Sequence, residues 1–295
     1  MKELVGTGIA LVTPFKEDLS VDFSALEKLV DFSINRGVDY LICLGTTAET
    51  PTLTQNEKAE IVSVIHSANA GRLPMVLGIG GNDTQAVQEE IKATDLSNFK
   101  AILSASPAYN RPSQEGIYQH YKALAEVTEK PIVLYNVPSR TGSNINSETT
   151  LRLANAFKNI VAIKEASPNF LQSTEILQAK PADFLVISGD DEFGLPMTLA
   201  GGSGVISVIA QALPELYPAM IRLGLERKVE EAYALHYQLM DITRSIYLEG
   251  NPCGVKALLA ERGICGKYTR LPLVPATDQL TQKIQKLYQS LNLKS

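Results

Sequence analysis

Short apolar runs and longer amphipathic stretches alternate along most of this chain. Runs of four or five β-compatible residues fall at 8–12, 40–44, 75–78, 101–104, 132–136, 160–164, 184–188 and 204–208. Runs of this kind, apolar on successive residues, predict strands buried on both faces. Between them, apolar residues recur at helical spacing over 23–36, 56–70, 84–98, 114–129, 148–157, 169–178, 193–200 and 214–225. Asp22, Thr54, Asp83, Ser113 and Ser147 stand where helix N-caps are expected, and Gly37 and Gly71 close the first two helices. Eight strand-then-helix units in about 225 residues predict an α/β fold, the (β/α)8 TIM barrel. An open doubly wound sheet would need a nucleotide loop; the nearest candidate, Gly78-Ile79-Gly80-Gly81-Asn82-Asp83, has Asp83 where the fingerprint needs its last glycine. From Glu226 on the strand signal stops, and helical pattern over 229–247, around 255–261 and over 277–291 predicts a C-terminal helical extension. The expected division is a catalytic barrel over 1–225 and a helical domain over 226–295, suited to subunit contacts or to covering the barrel.

In such a barrel the C-terminal ends of the strands converge on one mouth, however far apart they lie in sequence. One residue there is chemically out of place: Lys164 ends the run Ile160-Val161-Ala162-Ile163 and is followed by Glu165-Ala166-Ser167-Pro168. A lysine drawn into a water-poor site shifts toward its neutral, nucleophilic amine, which can attack a ketone. Alone, the run equally fits a lysine whose stem covers apolar surface while its ammonium reaches water. The other strand ends bring Thr46 and Thr47, Tyr109, Tyr135, Arg140, the turn Gly189-Asp190-Asp191 and Ile206-Ser207 to the same mouth. Tyr135, on the strand next to that of Lys164, could shuttle the protons that carbinolamine formation and dehydration require, or could simply pack there with a wet hydroxyl. Arg140 suits a substrate carboxylate, and a turn with two threonines can cradle another, although a solvated arginine and threonines that satisfy loop amides are the plainer readings. Asp190 and Asp191 either cap the following helix or, with Glu49, bind a divalent metal as in a metal-dependent aldolase.

Composition narrows the partners. With 45% hydrophobic residues in 295, the chain can bury a large core. A net charge of -5, without a Lys/Arg cluster, offers no footprint for nucleic acid or an anionic membrane, so a small molecule is the expected partner. The N-terminal residues lack the apolar core of a signal peptide, and no window approaches the roughly 18 consecutive apolar residues of a membrane span; a soluble, cytoplasmic protein is expected. Cys43, Cys253 and Cys265 form no CxxC pair, and His66, His120 and His236 have no second ligand at metal spacing, so neither a disulfide framework nor a metal or other cofactor is expected.

Gly45-Thr46-Thr47-Ala48-Glu49, Tyr135-Asn136-Val137-Pro138, Ile163-Lys164-Glu165, Gly189-Asp190-Asp191 and Gly204-Val205-Ile206-Ser207 together resemble the pyruvate-dependent class I lyase family, which includes dihydrodipicolinate synthase and N-acetylneuraminate lyase. The likeness runs along the whole chain with motif order intact. Ser139-Arg140-Thr141-Gly142 and Pro107-Ala108-Tyr109-Asn110-Arg111-Pro112 are similar to the dihydrodipicolinate synthase branch. The resemblance implies that Lys164 forms an imine with pyruvate, with Tyr135 as proton donor and acceptor and Thr46 relaying protons between Tyr135 and a Tyr109 contributed across a subunit interface. It further implies that Thr47 and the Thr46 backbone hold the pyruvate carboxylate, that the Ile206 carbonyl helps to orient the site, and that Arg140 takes the carboxylate of L-aspartate 4-semialdehyde. Gly189 and Asp190 fall in the substrate-binding set, and a homotetramer built from tight dimers in diaminopimelate and lysine biosynthesis is implied. The alternative within the family is a sibling lyase acting on a sugar acid, which lacks the arginine. Ala48 departs from the usual second glycine of the loop. Lysine-inhibited relatives carry an aromatic residue and a glutamate where this chain has Ala108 and Ala86, so weak or absent inhibition by lysine is expected.

Overall fold

The eight runs form strands β1 (Gly6–Ala10), β2 (Tyr40–Cys43), β3 (Met75–Gly78), β4 (Ala101–Ala105), β5 (Ile132–Asn136), β6 (Ile160–Glu165), β7 (Leu185–Ser188) and β8 (Gly204–Ser207) in a computed structural model that describes residues 1–293. Each pairs in parallel with its sequence neighbour, and β8 returns to β1, so the sheet is a closed barrel. Closure brings two backbones very close at Gly204, whose φ is +118° and where an added Cβ would lie 1.9 Å from the Gly6 carbonyl oxygen; only glycine fits that approach.

The strands explain their own composition. Alternate residues, such as Tyr40 and Ile42 of β2 or Val133 and Tyr135 of β5, fill the barrel interior, while Leu41, Ile132 and Leu134 pack outward beneath the helices. Both faces being dry, the strands carry apolar residues on both faces along most of their length. The helices are α1 (Phe23–Ile34), α2 (Gln55–Asn69), α3 (Thr84–Ala93), α4 (Gln114–Ala125), a short α5 (Pro138–Thr141), α6 (Ser147–Ala156), α7 (Phe170–Ala179), α8 (Gly194–Leu199), α9 (Tyr217–Leu225), α10 (Val229–Ser245), α11 (Cys253–Glu261) and α12 (Asp278–Ser290). Asp22, Thr54, Asp83 and Ser113 cap α1 to α4 as expected, Thr54 through a reciprocal capping box with Glu57. No helix of the described residues is long and apolar enough to cross a membrane.

Several boundaries differ from expectation, and four of them have a clear local reason. The first strand lies at Gly6–Ala10 rather than 8–12, because the Val12 amide leaves the ladder to donate to Gln211 Oε1 at 2.9 Å. The third helix stops at Ala93, five residues early, where the Asp95 carboxylate accepts the Ser97 amide and so offers the backbone a turn instead of a helix. The fourth stops at Ala125, and Thr128 Oγ1 takes the Lys130 amide beyond it. The cap of α6 is Asn146, which accepts from Thr149 N, rather than Ser147, which is the first residue of the helix.

Candidate active site

Lys164 and Tyr135 are direct partners in the β5–β6 register, and Asn136 faces Glu165 one step further on. Both inward side chains therefore reach the barrel mouth side by side, with the Lys164 Nζ 5.1 Å from the centre of the Tyr135 ring. Lys164 is 7% exposed. Burial pulls its ammonium down from the ordinary 10.5 to about 8, against the opposing pull of the Asp191 and Asp190 carboxylates and with some help from the Arg140 charge. An amine in that range is partly neutral at physiological pH, which an exposed lysine is not. The Tyr135 phenol shifts the other way, raised by burial, and shares a 3.0 Å hydrogen bond with Thr46 Oγ1 in which either oxygen could donate.

Behind this pair lies a buried polar brace. The Glu165 carboxylate accepts from Asn136 Nδ2 at 2.8 Å, Gln172 Nε2 at 3.0 Å and the Ser167 amide at 2.6 Å, while Asn136 Oδ1 takes the Ile145 amide at 2.9 Å. Burial raises the Glu165 carboxyl, and these donors work to hold it ionised. Because Asn136 and Glu165 directly follow Tyr135 and Lys164, the network ties together the two strand ends that carry the chemistry.

The mouth opens into a cavity of about 240 Å³ whose lining includes Thr46, Thr47, Tyr135, Arg140, Lys164 and Asp190. Thr46 and Thr47 ride on a one-turn 3-10 helix at the end of β2, with Glu49 closing the turn in a left-handed conformation at φ 55°. Arg140 sits exposed on α5, where Pro138 at the first position fixes the entry of that turn. Gly189 also lines the cavity; a Cβ there would lie 2.8 Å from Lys164 Cε and 2.9 Å from its Cγ, so the glycine leaves the room in which the lysine stem lies. Asp190 Oδ1 accepts the amides of Glu192 and Phe193 ahead of α8, which is a turn role, and burial raises its carboxyl. The Ile206 side chain packs with the apolar cluster inside the barrel and does not line the cavity.

Three of the candidate residues stand apart. Tyr109 is 91% exposed on left-handed backbone, φ 57°, and does not line the cavity. Asp191 and Glu49 are each occupied elsewhere: Asp191 accepts the amides of Val208 and Ile209 and the Tyr247 hydroxyl, and Glu49 pairs with Lys256. Among the described residues no group of three or more His, Cys, Asp or Glu is placed to hold a metal ion. Tyr247 and Asn251, from the connection between α10 and α11, do line the cavity and were not anticipated. Asn251 follows Gly250 and precedes Pro252, a turn signature that conceals its reach into a distant site.

A buried amine shifted toward its neutral form, beside a tyrosine hydrogen-bonded to a threonine, has the chemical capacity to attack a carbonyl. The sequence model of the Dihydrodipicolinate synthetase family matches residues 3–291. The chain belongs to this family. It is 53% identical over 292 residues to the 4-hydroxy-tetrahydrodipicolinate synthase of Flavobacterium psychrophilum, covering 99% of this chain and 100% of that relative. The chloride-inhibited dihydrodipicolinate synthase of Acinetobacter baumannii, solved in complex with pyruvate, superposes with a TM-score of 0.94 at 34% identity, covering 99% of this chain and 100% of the other. The enzyme of Cyanidioschyzon merolae with lysine bound gives 0.94 at 36% identity, with 99% of each chain covered. Membership in the Dihydrodipicolinate synthetase family makes the chain an enzyme of the lyase class.

Proposed function

We propose that the chain is a 4-hydroxy-tetrahydrodipicolinate synthase that condenses pyruvate with L-aspartate 4-semialdehyde through an imine on Lys164. The observation that carries this reading is the register pairing of Lys164 with Tyr135, with Thr46 hydrogen-bonded to the phenol and the amine shifted to about 8. The neutral amine adds to the keto carbon of pyruvate, and Tyr135 supplies the proton with which the carbinolamine loses water. The resulting iminium is an electron sink, so a methyl proton leaves and the enamine carbon attacks the aldehyde. The amine of the second substrate then adds to the imine carbon, closes the ring and displaces Lys164. Thr47 and the Thr46 amide hold the keto acid's carboxylate, and Arg140 takes the carboxylate of the aldehyde. Holding two small substrates at one mouth makes the carbon–carbon bond-forming step effectively intramolecular.

Borohydride reduction in the presence of pyruvate tests the first half of this sequence. A mass increase matching reduced pyruvate is expected on the peptide that carries Lys164; an adduct elsewhere, or none, would remove the reading. For the second half, Arg140→Ala is expected to raise the KM for the aldehyde roughly 10- to 100-fold, the value of one charge-assisted contact, with the KM for pyruvate little changed. Equal changes in both KM values would detach Arg140 from the aldehyde.

The exposed Tyr109 supports an assembly in which that residue of a second copy reaches the Thr46–Tyr135 pair; we propose the tetramer of tight dimers on this ground. Regulation differs from that of relatives that bind lysine. The Ala108 amide donates to Asn82 Oδ1 at 2.8 Å, joining the loop after β4 to the start of α3, yet Ala86 and Ala108 present only methyl groups there. A lysine ligand would lack a carboxylate for its amine and an aromatic wall. Initial rates are expected to be unaffected by sub-millimolar lysine, and half-inhibition in that range would overturn the point.

A further inference from the structure

The Thr46–Ala48 turn is held from outside the barrel by one short segment, the turn before α11 and the first residues of that helix. Asn251 Nδ2 donates to Thr47 Oγ1 at 2.9 Å, and both residues line the cavity. Five residues later Lys256 Nζ meets Glu49 Oε1 at 2.6 Å, and the Arg270 amide takes the other oxygen at 2.9 Å. Segment 251–256 thus fastens the turn both at Thr47 and at the glutamate that closes it, while Thr13 Oγ1 donates to the Ala48 carbonyl between them. A threonine hydroxyl that accepts an N–H keeps its own proton for another acceptor. Thr47 is buried, and the space left to that proton is the cavity. Asn251 is only 7% exposed and its Oδ1 has no partner, an unfavourable condition for a buried amide. An apolar residue of similar size would avoid it, so the donation to Thr47 is what this side chain specifically provides.

We infer that the C-terminal segment completes the carboxylate site, with Asn251 as a positioning residue that keeps Thr47 a hydrogen-bond donor toward the keto acid and Lys256 holding the turn on which Thr47 rides. This rests on the pyruvate reading given above. Neither residue takes part in proton or bond transfer.

Asn251→Asp is the decisive variant, because the aspartate has the same shape but cannot donate. Its carboxylate would accept the hydrogen bond of the Thr47 hydroxyl and set a negative charge near the substrate carboxylate. The KM for pyruvate, and the pyruvate concentration that half-saturates borohydride trapping, are expected to rise at least about tenfold. The KM for the aldehyde and kcat at saturating pyruvate should stay within about threefold, since the contact is made equally in ground and transition states. Thr47→Val should act alike, and adding Asn251→Asp to Thr47→Val should cost less than about twofold more, because the amide works through the hydroxyl. If Asn251→Asp fails to fold, as judged by circular dichroism, Asn251→Ala carries the same prediction at about threefold or more. Absence of trapping in the unaltered enzyme would overturn the pyruvate reading and this inference with it. Normal trapping there, with Asn251→Asp within about twofold of it, would mean that Asn251 accepts from Thr47 and would overturn the inference alone. Fully additive effects of the two substitutions would also overturn it.

Discussion

Lys164→Met is expected to lower kcat/KM on the order of ten-thousandfold or more while leaving the fold intact, because removing a covalent nucleophile removes the reaction path rather than one contact along it. Methionine matches the lysine stem in length and is apolar, so at a position with 7% exposure it relieves the burial that depresses the amine. Thermal unfolding should therefore occur at or above the temperature of the unaltered enzyme, which separates loss of chemistry from loss of structure. The same amine predicts a pH dependence. Its folded value of about 8 lies below the ordinary 10.5, so the neutral form grows as pH rises and dominates above about 8. At pH 7 roughly a tenth of the sites are neutral, against fewer than one in a thousand for an unshifted lysine. The rate of borohydride trapping at fixed pyruvate should rise with an inflection near 8 and then level. A rate that climbs unchanged through pH 9, or a Lys164→Met enzyme retaining a tenth of its activity, would refute the assignment.

Much of this was readable before any coordinates. Strand runs that are apolar on successive residues can only be satisfied by a sheet dry on both sides, and eight of them alternating with capped helices leave few arrangements besides a closed barrel. Barrel topology then does what spacing cannot, by carrying Thr46, Tyr135 and Lys164, scattered over more than a hundred residues, to one mouth. What stayed hidden depends on tertiary contacts rather than on period. Asn146 and Ser147 are both good caps, and only the backbone decides which of them accepts the Thr149 amide. Val12 continues an apolar run, and only the arrival of Gln211, nearly two hundred residues later, takes its amide off the ladder. Asn251 belongs to the same class, since no local rule links a turn between two helices to a threonine at the end of the second strand. One missed residue did carry a signal. Lys256 stands alone in Val255-Lys256-Ala257-Leu258-Leu259, just as Lys164 stands at the end of its strand, and the same reasoning applied there would have marked it.

The two lysines nevertheless differ in what their burial does, and stability is where Lys256 should declare itself. Its ammonium and the Glu49 carboxylate have no exposed side-chain surface and meet at 2.6 Å; the Tyr268 carbonyl accepts a second hydrogen bond at 2.8 Å, and the charge lies 4.2 Å from the centre of the Phe15 ring. Burial pulls this amine down too, but here a carboxylate in direct contact opposes the shift, so the group is held as a charged partner rather than freed as a nucleophile. Lys256→Met leaves the buried Glu49 carboxyl without its counter-charge. Breaking such a pair costs about 3–5 kcal/mol, a large share of the roughly 5–15 kcal/mol that holds a typical domain folded. The unfolding temperature should fall on the order of 10 °C. Adding Glu49→Gln removes the stranded charge and retains an oxygen for the Arg270 amide, so the double variant should recover about half or more of the loss. Equilibrium unfolding of the two single variants and the double variant measures this directly. A Lys256→Met enzyme within about 1 kcal/mol of the original, the range of exposed ion pairs, would show that solvent reaches the pair and that the turn bearing Thr46 and Thr47 is held by other means.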